Sequence, residues 1–150
     1  MKLLSTFLVL AVFTAIACNK DKIATIPQYK FESISPEIVM SGDILQIKGT
    51  YTDKEGDIDS VFIVRKFFDG DNATKIDTIE RIEFATLGVP PKTVEADMDI
   101  TFEYNTFNTG LRLLSGVNKD TTAAFGIILQ DKVPNRSVYV ESSKVRLIKP

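Results

Sequence analysis

Four carboxylates fall within seven residues at Asp53-Lys54-Glu55-Gly56-Asp57-Ile58-Asp59, with a glycine to turn the chain between them. The chemistry this pattern fits is a hard cation, because calcium takes about six to eight oxygen ligands. Asp53, Glu55, Asp57 and Asp59 are therefore the candidate calcium ligands, and no other cofactor is expected. The loop is not an EF-hand: counting Asp53 as first, the twelfth position, where a bidentate Glu belongs, is Val64. Its competing reading is an acidic turn whose Asp side chains cap backbone amides. Asp69-Gly70-Asp71-Asn72 is a second, shorter acidic turn. Asp97 and Asp99 lie two apart on one strand face, near the roughly 5–9 Å that separates a pair of glycosidase carboxylates. Any solvent-facing strand shows the same alternation.

The lone cysteine is the other reactive group. Met1-Lys2 starts an apolar run from Leu3 to Ile16, and Ala15-Ile16-Ala17-Cys18 closes it with small residues. This predicts a signal peptide over 1–17, too short to be a membrane span. The position of Cys18 resembles a bacterial lipobox, which implies acylation of the thiol and cleavage just before it. Ala15-Ile16-Ala17 is also an acceptable site for an ordinary signal peptidase. That cut would leave an unpaired thiol on a secreted chain, whereas acylation gives the cysteine a purpose. Residues 18–27, with Asn19-Lys20-Asp21-Lys22, then read as a solvated tether.

Absences narrow the chemistry further. The 150 residues contain no histidine, no tryptophan and one cysteine. Ser-His-Asp and Cys-His nucleophile systems and His/Cys metal centres cannot be built from this chain. The aspartic-protease signature is missing too, since Asp77-Thr78 is followed by Ile79. Of 18 basic and 20 acidic residues the part after residue 17 keeps 17 and 20, a net charge of −3 without a basic cluster. No nucleic-acid partner is expected. Sugar-stacking platforms would have to come from Phe67 and Phe68 or from Tyr104 and Phe107.

The elements that must position these groups are strands. Tyr29–Ile34 and Ile44–Tyr51 alternate with period two, and Val61–Phe68 is β-branched and aromatic. Val94–Tyr104 alternates most cleanly, with every acidic residue on one face. Ile76–Phe84 is weaker, because its apolar spacing of three also fits a helical stretch. Ala123–Leu129 is continuously apolar, as in a strand buried on both faces. Ser137–Val140 and Lys144–Ile148 end the chain, while Leu111–Leu114 fits a short helical turn or a strand end. The pattern predicts an all-β domain over 28–150, a single antiparallel β-sandwich of about seven to eight strands. Its expected core is Phe31, Ile34, Leu45, Ile47, Phe62, Val64, Phe102, Phe125, Ile127, Val138 and Val140.

Gly42-Asp43-Ile44-Leu45-Gln46-Ile47-Lys48-Gly49-Thr50-Tyr51-Thr52-Asp53-Lys54-Glu55-Gly56-Asp57-Ile58-Asp59-Ser60-Val61 resembles the second strand, acidic loop and third strand of immunoglobulin-like lipoprotein domains. These are the cadherin/PKD-like sandwiches abundant in Bacteroidota. Gly126 to Ser137 resembles the approach to their last strand. The resemblance implies an immunoglobulin-like fold and a lipoprotein of the cell envelope, most consistent with the outer membrane. It also implies a calcium-binding loop between strands. Asp59-Ser60-Val61, Asp77-Thr78-Ile79 and Asp120-Thr121-Thr122 resemble the O-glycosylation sites of the same bacteria. The function expected is a lipid-anchored binding or scaffold module without catalytic activity, whose partner is an envelope protein or glycan. The alternative is a small carboxylate-dependent, glycan-directed hydrolase.

Overall fold

Alternating apolar residues build two sheets that face each other across one core. The computed structural model describes residues 24–150, so Cys18, the expected signal peptide 1–17 and most of the 18–27 tether lie outside the described residues. One sheet has four strands in the order β1 (Gln28–Ser35), β3 (Ile44–Thr52), β6 (Glu95–Tyr104), β7 (Arg112–Leu114). The other has six. They run β2 (Ile38–Val39), β10 (Val145–Leu147), β8 (Thr121–Asp131), β4 (Ile58–Asp69), β5 (Asn72–Glu83), and β9 (Val140–Glu141) also pairs with β8. A first strand divided between the sheets near Pro36, with β1-β3-β6 facing β4-β8-β10, is the arrangement of an immunoglobulin-like sandwich.

The expected all-β sandwich is present, with two corrections. Among the described residues it has ten strands rather than about seven to eight, and β2–β10 and β6–β7 pair in parallel. The added strands are β2 and β7, whereas the last stretch of chain is divided in two, as expected, into β9 and β10. Ser137 and Ser142 each interrupt its pairing with β8 by one extra residue. Ser137 Oγ accepts the Leu129 amide at 2.9 Å and donates to Val138 O; Ser142 Oγ accepts the Phe125 amide at 2.9 Å and donates to Ser143 O. Each hydroxyl thus satisfies an amide that the bulge would otherwise orphan.

The core register is as predicted at Leu45, Ile47, Phe102, Phe125 and Ile127, all buried. It is reversed in β4. Val61 and Ile63 point inward and are fully buried, while the expected Phe62 and Val64 lie half-buried on the outer face. Four consecutive apolar residues carry no parity, so the pattern could not choose a face. On that outer face Phe62 is sandwiched by guanidinium groups, Arg136 at 5.0 Å and Arg81 at 5.8 Å from the ring centre. Val138, also expected inside, is 74% exposed because the Ser137 bulge turns it out. Phe31, Ile34 and Val140 are half-buried against the core at its edge.

Bulges also explain the irregular spacings. Glu32 is an extra residue in β1, so Phe31 faces Gly49 and Ile34 still reaches Ile47. Ile79 is an extra residue in β5, which produces the spacing of three at Ile76, Ile79 and Ile82 in a strand. Burial of β8 on both faces is borne out from Ala123 to Ile127. Its outer face is covered at Gly126 by the Tyr139 ring, which a Cβ there would strike.

Candidate functional site

The four carboxylates of the acidic loop do not converge. β3 ends at Thr52, and the Asp53 side chain turns inward to full burial, where Oδ2 accepts the Asp57 amide at 2.8 Å. Asp59 already lies on β4 and pairs with Arg81 at 2.8 Å. Among the described residues no three acidic side chains stand close enough to hold a metal ion. The expected calcium ligands Asp53, Glu55, Asp57 and Asp59 are thus not gathered in this structure, where the loop is a capped turn whose first carboxylate is buried instead of solvated. Gly56, at φ +62°, closes that turn against the backbone of Lys92. Burial raises the Asp53 carboxyl above its ordinary value. The Asp57 amide opposes this, and the charges of Asp57 and Glu55 reinforce it.

A second buried carboxylate was hidden in the cleanest strand. Glu95, Asp97 and Asp99 are exposed on the outer face of β6, but Glu103, at the same parity, is 1% exposed. The chain after β6 folds back over it. Glu103 accepts hydrogen bonds from the Thr106 hydroxyl, the Asn108 and Thr109 amides and the Thr109 hydroxyl. These donors, the Thr106 hydroxyl foremost, bring its carboxyl down from 4.5 to about 2. Period-two alternation marks Glu103 as solvent-facing; only the Thr-rich Thr106–Thr109 segment hints at a carboxylate clip.

The expected glycosidase pair sits on an open sheet face. Asp99 accepts a hydrogen bond from Gln46 Nε2 at 2.6 Å, and neither Asp97 nor Asp99 lines the groove described next. Of the modification sites, Ser60 has a buried hydroxyl and is inaccessible, whereas Thr78 lies exposed on β5. Of the alternative platforms, Tyr104 is fully buried and Phe107 is 69% exposed.

A groove of about 590 Å³ opens at the far end of the sandwich from the acidic turn. β4 carries the chain there, roughly 36 Å for its length at strand rise. The groove lies between the β4–β5 hairpin and the loop before β8, lined by Arg65, Phe67, Phe68, Lys75, Asn118 and Lys119 among others. Arg65 points inward from β4 and plugs the open end. Its Nη1 donates to Ser115 O at 3.0 Å, its Nη2 contacts Asp77 Oδ2 at 3.3 Å, and its guanidinium lies 4.7 Å from the Phe67 ring centre. Lys75 also stands over Phe67, at 5.5 Å. Phe67 and Phe68 are consecutive on β4 and both line the groove where the strand runs into its hairpin turn; the register shift beside them is an extra residue, Thr74, in β5. Lys144 covers the Phe68 ring at 4.4 Å. Asp120 on the rim is tied to Arg146 at 3.1 Å, while Lys75 and Lys119 form no ion pair with a described residue. Aromatic edges, two unpaired ammonium groups and amide and hydroxyl groups equip the groove for recognition. Sequence reasoning had named Phe67 and Phe68 but not the cations around them, which arrive from separate strands and loops.

No family model and no curated protein matches the sequence. Among solved structures the chain is similar to the sporulation control protein Spo0M of Bacillus subtilis, at 12% identity and a TM-score of 0.46. That match covers 85% of this chain and 51% of Spo0M, so the chain spans about half of that protein's length. It is also similar to a Niemann-Pick type C2 protein from the Japanese carpenter ant, at 11% identity and a TM-score of 0.41, covering 84% of this chain and 94% of the other. A superoxide reductase (neelaredoxin) from Ignicoccus hospitalis aligns at 15% identity and a TM-score of 0.39, covering 81% and 79%. Likeness at this level carries no argument about activity.

Proposed function

We propose that this chain is a lipid-anchored binding or scaffold module of the cell envelope, without catalytic activity, that presents its end groove to an envelope protein or glycan. The observation that supports this reading is the groove's composition and place. It combines Phe67 and Phe68 with the unpaired Lys75 and Lys119, at the end of the domain farthest from the side that Ala24 approaches. The Cys18 anchor, acylated and most consistent with the outer membrane, would hold the opposite end. A photo-cross-linking residue at Lys119 in native envelopes should capture the partner. The same residue at Thr50, on the outer face of the four-stranded sheet, should not. Equal capture at both positions would sink the groove as the site. Hydrolysis of envelope glycan by the purified protein, abolished by Asp97→Asn or Asp99→Asn, would replace this reading with the hydrolase. The anchor is tested separately: Cys18→Ala should move the protein to the soluble fraction or leave it unprocessed.

A further inference from the structure

The end of the sandwich opposite the groove carries exposed aliphatic side chains where the N-terminal segment meets it. Ile26 is 53% exposed, Val138 74% and Val133 68%. Ile26, Pro27, Arg136 and Val138 line one shallow depression with the buried Tyr29 at its side. Val133 projects from the adjoining turn, in which Asp131 accepts the Asn135 amide at 2.8 Å. Two bonds put this turn and the N-terminal segment at the same end. The Lys54 amide donates to Ala24 O at 3.2 Å, and the Lys132 amide donates to Asp57 O at 3.2 Å. Lys54 and Asp57 belong to one acidic turn, so the aliphatic residues cluster around the point where the chain enters the domain.

Chain length then decides what these residues can reach. Five residues separate Cys18 from Ala24, and that stretch spans at most about 22 Å even when fully extended. A headgroup layer is itself roughly 5–7 Å thick. An acylated Cys18 would therefore hold this end of the sandwich against the bilayer surface, too close to swing clear by more than a fraction of the domain's own length. Exposed aliphatic side chains gain by entering the headgroup–acyl boundary.

We propose that the anchor-side end of the domain, through Ile26, Val133 and Val138, docks on the lipid bilayer and fixes the groove pointing away from it. This rests on the lipid-anchored reading above. The experiment uses the absence of tryptophan, which makes any introduced tryptophan a unique reporter. Full-length acylated Val133→Trp is reconstituted in vesicles of phosphatidylethanolamine and phosphatidylglycerol containing brominated lipid. Its emission should move to the blue and be quenched by the bromine, and Ile26→Trp should behave likewise. Phe107→Trp, at the other end, should stay water-like and unquenched. An acylated protein whose Val133→Trp and Ile26→Trp are both unquenched would overturn the docking and leave the anchor standing. Mass spectrometry finding Cys18 unmodified in native protein would overturn the anchor reading and the docking with it. A photo-reactive residue at Val133 that cross-links to a protein in native envelopes, together with no quenching in vesicles, would assign the surface to a partner protein and would equally overturn it.

Discussion

Asp53 and Glu103 are two buried carboxylates at opposite ends of the four-stranded sheet, and their environments push them in opposite directions. Glu103 is surrounded by two amides and two hydroxyls that all donate to it. Asp53 accepts one amide through Oδ2, while its Oδ1 is buried without a partner beside the charges of Asp57 and Glu55. The first is held charged and the second is penalised for being charged. What separates them is the number of donors the local backbone brings, since burial alone disfavours both ionised forms. Glu103 thus organises the loop that folds back over it. Asp53 closes a tight turn at an electrostatic cost.

The largest expected effect comes from removing the better-satisfied group. Glu103→Ala strips four donors of their acceptor at once and should lower the melting temperature more than any other substitution named here. Loss of order in residues 105–110, seen by amide exchange, should accompany it. A melting temperature unchanged from wild type would mean that the loop is held by other contacts.

Acid titration sharpens the comparison by sign. The folded value of Glu103 is depressed, so its stability is fully present above the ordinary 4.5 and is lost as pH falls toward about 2. The folded value of Asp53 is raised. Stability linked to its protonation is therefore present below the ordinary 3.8 and lost as pH rises through its folded value. Glu103→Gln should flatten the acid limb of a stability–pH curve, and Asp53→Asn should steepen it. Identical curves for the two variants would erase the distinction.

Smaller effects follow at the less satisfied site. Asp53→Ala leaves the Asp57 amide buried without an acceptor and should cost about 1–3 kcal/mol in urea unfolding. Asp53→Asn keeps that acceptor, removes the buried charge and should cost less than Asp53→Ala at neutral pH. Equal losses for both would show that charge is irrelevant there. The smallest effect expected is that of calcium. At about 10⁻³ M it should leave the melting temperature unchanged, since no three acidic side chains gather among the described residues. A rise abolished by Asp57→Asn would show that the turn opens to bind the ion.

The acidic loop and β6 show why parts of this molecule were legible and parts were not. Alternation in Ile44–Tyr51 and Val94–Tyr104 located both central strands of the smaller sheet, because each has one face in the core and one in water. The same rule failed at Glu103. Its outward parity is real, but a loop from the following segment covers it. In β4 the run Val61–Val64 has no alternation to read, and the face was chosen by partners far away in sequence, Arg81 and Arg136 on Phe62. The groove shows the same limit. Phe67 and Phe68 were visible as aromatics in a strand, but their place beside Lys75, Asn118 and Lys119 depends on strand pairing and on where the loop before β8 lies.

By itself the sequence determined the class of the fold, since period-two hydrophobicity and closely spaced turn residues demand facing sheets whatever their order. It also determined which chemistries are closed to this chain, because histidine and paired thiols are absent. Tertiary structure alone decided which carboxylates are buried, which face of β4 meets the core and which loops meet to form the groove. The face of β4 and the groove depend on contacts between residues tens of positions apart, while each buried carboxylate depends on how the turn just after it folds back, and period-two spacing records neither.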